Sequence, residues 1–167
     1  MTTHETAEQR LARLGLELPA PPAAVAAFQP YYRTGTTVYV SGQIATRDGQ
    51  LVATGRLGDG VDVATGQEAA RACALNVLAQ LHAAAGGSLN AVARLIKLTV
   101  FIASTAEFTA QPQVADGASQ LLVEVLGPAG AHARSAVGVT ALPLGSPVEV
   151  EAIAELSTAA SPDGASC

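Results

Sequence analysis

The chain has 167 residues, 49% of them apolar, with nine basic against fourteen acidic side chains and a net charge of −5. That is long enough for one domain with a real core, short for two, and too apolar and too sparsely charged for a disordered chain. Lys97 is the single lysine and the arginines do not cluster, which argues against a nucleic-acid binder, since such proteins need basic patches to displace counterions from phosphates.

Residues Thr3–Leu14 predict a short helix capped by Thr3, with Arg10 and Arg13 toward its end and Gly15 as its stop. Pro19, Pro21 and Pro22 make the next stretch an extended arm. Phe28–Arg33 and Thr37–Ser41 flank Thr34-Gly35-Thr36 and predict a hairpin whose second strand ends at Gly42. Ile44–Val52 predicts another hairpin, because Asp48-Gly49 favours a type I′ turn. The glycine-rich Leu51–Val61 is expected to be an exposed loop. Thr65–Ala85 predicts a long helix, with Ala69, Ala70, Cys73, Val77 and Leu81 at helical spacing and Gly86-Gly87 as its end.

Arg94–Ala103 predicts a buried strand, with Ile96, Leu98, Val100 and Ile102 on one side and Leu95, Lys97, Thr99 and Phe101 on the other. Glu107–Leu126 reads as a helix delayed by Pro112 and closed by Gly127-Pro128. Two strands follow, Arg134–Thr140 and Val148–Leu156, joined by a turn containing Pro143, Gly145 and Pro147. The domain is expected to span 25–156, between an N-terminal helix and Pro-rich arm (1–24) and a small, polar, disordered tail (157–167). No signal-peptide pattern or apolar run of membrane-spanning length is present, so a cytoplasmic location is expected and no membrane partner. Cys73 and Cys167 form no disulfide or metal spacing, nor do His4, His82 and His132. Nucleotide-binding and nucleophile-elbow motifs are absent as well, so no cofactor or metal is expected.

This order of elements predicts an α+β fold, a single mixed sheet with two helices packed on one face. Strand alternation then puts Tyr39, Ser41, Lys97, Phe101, His132, Arg134, Glu149 and Glu151 together on the other face. A face half apolar and half charged is neither core nor plain surface, and it predicts contact between copies of the chain. Arg134 has two readings: a fork that holds a carboxylate bidentately, or an ion pair with Glu149 or Glu151 across the strands. Glu149 and Glu151 lie two apart on one face, where mutual repulsion would raise one pKa and yield a usable acid or base; the alternative is plain solvation. His132 is either a proton shuttle or a polar contact at a strand start. Ser41-Gly42 either lets a ligand approach the backbone or is an ordinary turn.

The segments V-Y-V-S-G-Q (38–43), A-A-R-A-C-A-L-N-V-L-A-Q-L (69–81), I-K-L-T-V-F-I (96–102), H-A-R-S-A-V-G-V (132–139) and L-P-L-G-S-P-V-E-V-E-A-I-A (142–154) together resemble the RidA/YjgF family, also labelled endoribonuclease L-PSP. The likeness runs from about residue 25 to 156, in a longer form that suggests a side branch. It implies a chorismate-mutase-like fold, a homotrimer with a central β-barrel, and ligand clefts between subunits. It also implies cofactor-independent hydrolysis of 2-imino or enamine acids to keto acids and ammonia; older family labels are translation inhibitor and endoribonuclease. By this likeness Arg134 is the arginine that clamps the substrate carboxylate and Glu149 the glutamate that positions water. Ser41 and Gly42 line the cleft beside them. Phe28 stands where the family often has a tyrosine. Gly117 and Ala136 stand where the deaminase group has asparagine and cysteine. These departures make a small-carboxylate ligand a firmer expectation than imine hydrolysis. A non-catalytic carboxylate binder is one alternative, and an endoribonuclease or translation inhibitor, which the acidic balance argues against, is the other.

Overall fold

The computed structural model describes residues 5–21 and 27–158. The expected cap Thr3, Pro22 of the arm, and most of the expected disordered tail, including Cys167, lie outside the described residues. Helix α1 spans Ala7–Arg13 and is capped by Thr6, whose hydroxyl accepts from the Gln9 amide while the Gln9 side chain accepts from the Thr6 N–H.

Five strands form the main sheet: β1 (Tyr31–Thr34), β2 (Thr37–Ile44), β3 (Val92–Ala103), β4 (Ala133–Val139) and β5 (Val148–Leu156), in the spatial order β1-β2-β5-β3-β4. All neighbours are antiparallel except β3 and β4, which are parallel and joined through a helix, as a parallel pair requires. Helices α2 (Val63–Ala84) and α3 (Gln111–Leu126) cover one face. Asp62 caps α2 by accepting from the Thr65 amide. The core between the layers is built from Val38, Val77, Leu81, Leu98, Leu121 and Val150, all fully or almost fully buried. No helix among the described residues is long and apolar enough to cross a membrane.

Several expectations change. β2 does not end at Gly42; it continues to Ile44 through a bulge, since Val40 pairs with Ala152 but Gln43 with Val150. A second bulge in β3, between Leu95 and Lys97, turns Leu95 into the core at 2% exposure and Ile96 outward at 41%. One extra residue flips every side chain beyond it, so uninterrupted alternation gave these two the wrong faces. Around Asp48-Gly49 the hairpin is present, with both residues at positive φ as a type I′ turn demands. The segment after it is not a plain exposed loop: Arg56–Leu57 pairs with Gly60–Val61, and Leu57 is fully buried.

The largest correction concerns Arg134 and His132. In the β3–β4 register Arg134 lies level with Leu98, Ala136 with Val100 and Gly138 with Ile102. Directly paired residues share a face, so Arg134 points to the helix side of the sheet, with the core residues. His132 precedes the strand and bonds into the same rim. The mixed face keeps Tyr39, Lys97, Thr99, Phe101, Glu149 and Glu151. An arginine can occupy the helix side here because β4 is the edge strand and α3 supplies a polar rim beside it.

Candidate functional site

Two clusters emerge where one was expected. The first is built on the β2 bulge. Ser41 donates from its hydroxyl to the Gln29 carbonyl at 2.7 Å, and its amide donates to the Pro30 carbonyl at 3.0 Å, which ties the incoming arm over the bulge. The next residue has no side chain, and Glu149 from β5 fills the space. A Cβ on Gly42 would overlap the Glu149 Oε1 and stand 2.7 Å from its Cδ. Glycine is required here for close approach, not for an unusual backbone angle.

Glu149 is half-buried and accepts no hydrogen bond among the described residues. Burial pushes its pKa above the ordinary carboxylate range, and the Glu151 charge on the same face raises it further. Beside this notch lies a hollow of about 480 Å³ whose lining includes Phe28, Tyr32, Tyr39, Ser41, Glu151 and Ile153. Phe28, Tyr32 and Tyr39 are exposed to the extent of 54%, 66% and 47%, which is an unusual amount of aromatic surface to leave in water.

The second cluster lies on the other side of the sheet, between β4 and α3. Arg134 Nη1 donates to Asp116 Oδ1 at 2.8 Å and to Ser119 Oγ at 3.1 Å, and Nη2 donates to the Pro112 carbonyl at 3.3 Å. Asp116 and Ser119 are three apart on α3 and therefore face the same way. The His132 Nδ1 stands 2.6 Å from the Gly130 carbonyl, which can only accept, so Nδ1 carries a proton. In the neutral ring Nε2 then accepts from the Ser119 hydroxyl at 3.0 Å, leaving a Ser119 lone pair for Arg134. The arrangement engages three of the five guanidinium protons and leaves Nε–H and one Nη2–H without a partner among the described residues. Nε and Nη2 lie on one edge of the guanidinium, the edge at which a carboxylate can be held side-on.

The structure thus places Phe28 beside Ser41 in the hollow and Gly42 against Glu149 in the adjoining notch, and Arg134, His132 and Ala136 in the other cluster, but does not join the two sets. Within one chain Arg134 and Glu149 are two strands apart, about 10 Å along the sheet, and on opposite faces. The cross-strand pair of Arg134 with Glu149 or Glu151 does not form; its partner is Asp116. Gly117 does not line a cleft. It is buried where α3 crosses α2, and a Cβ there would come 2.8 Å from the Gln67 carbonyl carbon. Sequence reasoning missed Asp116 and Ser119. Their only signal was two polar residues at helical spacing near the start of α3, which does not say which strand they will face.

Among the described residues no group of three or more His, Cys, Asp or Glu side chains is placed to hold a metal ion. Cys73 is fully buried in α2, donating to the Val148 carbonyl at 3.3 Å, and burial pushes its thiol well above the usual range.

Residues 8–156 match the model of the family described as "YjgF/chorismate mutase-like, putative endoribonuclease". Protein TCP17 of Trypanosoma cruzi is 47% identical over 148 residues, covering 88% of this chain and 92% of that one. A Shewanella oneidensis structure bearing the same endoribonuclease description is 36% identical with a TM-score of 0.86, covering 90% of this chain and 99% of that one. RidA from a Psychrobacter species is 28% identical with a TM-score of 0.55, covering 82% and 94%.

Proposed function

The chain belongs to the YjgF/chorismate mutase-like family, and on that premise we propose that it is a cofactor-independent hydrolase of 2-imino or enamine acids, working in clefts between copies of a cytoplasmic homotrimer. The observation that carries the reaction is Glu149: a half-buried carboxylate without a hydrogen-bond partner among the described residues, over a bare backbone, with its proton affinity raised. A raised proton affinity makes such a group a better acceptor of a proton from water.

In this reading the side-on fork of Arg134 holds the ligand carboxylate and leaves the C=N carbon facing Glu149 of a neighbouring copy. Water adds to that carbon as its proton passes to Glu149. The proton is then returned to nitrogen, the C–N bond breaks as the new hydroxyl gives its proton to Glu149, and the products are a 2-keto acid and ammonia, which takes up that proton as ammonium. The iminium carbon is already electrophilic, so positioning and one proton shuttle supply the chemistry.

The separation of the two clusters supports the oligomer. Each is half a site, and the open sheet face carries Tyr39, Ile96 and Val137 at 47%, 41% and 43% exposure. Covering that face with another copy removes the apolar surface from water. The buried Cys73 thiol agrees with a reducing compartment.

The test is ammonia release from an imino acid generated in situ, with sedimentation to count the copies. Wild type should accelerate release, and Arg134→Ala and Glu149→Gln should each abolish the acceleration. Refolding the two inactive variants together should restore part of it, because mixed trimers rebuild complete clefts. No acceleration by wild type, or no recovery in the mixture, overturns the reading. The engagement of Arg134 by Asp116 favours a second reading, a carboxylate binder without turnover, which predicts ligand-dependent thermal stabilisation that needs Arg134 and no ammonia release.

A further inference from the structure

Arg134 does not stand alone as a cation. Asp116 is locked to it at 2.8 Å through one oxygen, while its side chain remains 47% exposed. Within the chain that carries Arg134 the other groups around the guanidinium, Ser119 Oγ and the Pro112 carbonyl, are uncharged, and the His132 ring lies behind Ser119 with Nδ1–H committed to Gly130. The pair as a whole is electrically neutral. A lone arginine fits a ligand of charge −1. An arginine already neutralised by a carboxylate fits a ligand that brings both signs.

We propose that the Asp116–Arg134 pair makes this a site for zwitterions: 2-iminium and 2-amino acids, with a positive nitrogen beside the carboxylate, in preference to anionic 2-keto acids. The inference rests on the reading of Arg134 as carboxylate anchor and names the ligand class that such an anchor takes. The ligand carboxylate meets the free Nε–H and Nη2–H, and its nitrogen lies within the field of Asp116. Hydrolysis of the iminium form converts a ligand of net charge 0 into a keto acid of net charge −1, while the nitrogen leaves with the positive charge as ammonium. Asp116 then disfavours the product it helped to form, so the same carboxylate that selects substrate speeds release.

A unit charge at about 6 Å in a half-exposed site, with an effective dielectric constant of about 40, changes affinity roughly ten-fold. The probes are a matched pair on one carbon skeleton, L-2-aminobutanoate and 2-oxobutanoate, titrated calorimetrically into the assembled protein. Wild type should prefer the amino acid. Asp116→Asn keeps an oxygen to accept from Nη1, so Arg134 stays in place; it should tighten the keto acid by about ten-fold, weaken the amino acid, and so move the ratio by ten-fold or more. An unchanged ratio in Asp116→Asn, with Arg134→Ala abolishing both ligands, overturns the zwitterion inference and leaves the anchor standing. Binding of both ligands by Arg134→Ala, or of neither by wild type, overturns the anchor and this inference with it.

Discussion

Replacing Gly42 with alanine isolates the notch that holds Glu149. The backbone there lies outside the positive-φ region, so alanine can adopt it and the bulge should survive. The added methyl would overlap Glu149 Oε1 and lie 2.7 Å from Cδ and 3.1 Å from Cγ. Carbon atoms in contact sit about 3.5–4.0 Å apart, so the half-buried carboxylate must retreat by about 1 Å, toward the solvent it already meets. Leaving costs little, because Glu149 gives up no hydrogen bond; the change in stability should stay below about 1 kcal/mol. Activity should fall by about 10²–10⁴-fold, the usual contribution of a positioned base. Once in water, Glu149 loses the burial that raised its pKa and should titrate in the ordinary carboxylate range. Three measurements check this: ammonia release against pH, the NMR titration of the Glu149 carboxyl carbon, and a thermal melt. A Gly42→Ala protein with wild-type turnover and an unmoved Glu149 titration would refute the argument.

Glu151→Gln removes the second cause of the raised Glu149 pKa, so the acid limb of the pH–rate profile should move to lower pH. Glu149 itself titrates above its unfolded value in the fold, so its contribution to stability is full below the ordinary carboxylate range and is lost as pH rises through the raised pKa. Denaturation of Glu149→Gln should therefore show a gain over wild type at neutral pH that vanishes in acid. Glu8 runs the other way: burial of its carboxyl opposes ionisation, but bonds received from Ser88 Oγ, Leu89 N and Asn90 N outweigh it and lower its pKa. Glu8→Gln should cost about 1–2 kcal/mol at neutral pH, seen as a lower Tm, and the difference from wild type should shrink as pH falls through the lowered pKa. Gly117→Ala should destabilise by about 1–3 kcal/mol through overpacking of α3 on the Gln67 backbone, read by urea denaturation.

Long-period features were legible in the chain. The α2 pattern of Ala69, Cys73, Val77 and Leu81 gave the helix, and the alternation Val148, Val150, Ala152, Ala154 gave β5 its buried face. Asp48-Gly49 specified its own turn. Each is a local rule, enforced by residues a few positions apart. The bulges at Ser41-Gly42 and at Leu95–Lys97 were not legible, because a bulge is fixed by the strand alongside.

The same division runs through the candidate site. Motifs that resemble the family singled out an arginine on a late strand and a glutamate on the next as the candidate groups for holding a carboxylate and a water. Which side of the sheet each faces was decided in three dimensions. Alternation relates residues within a strand, but the face of β4 is set by its parallel pairing with β3, across a helical crossover of some length. That pairing sent Arg134 to α3 and to Asp116, 18 residues away, and left Glu149 on the opposite face over Gly42. Charge partners are chosen by distance in space, and no spacing along the chain encodes it.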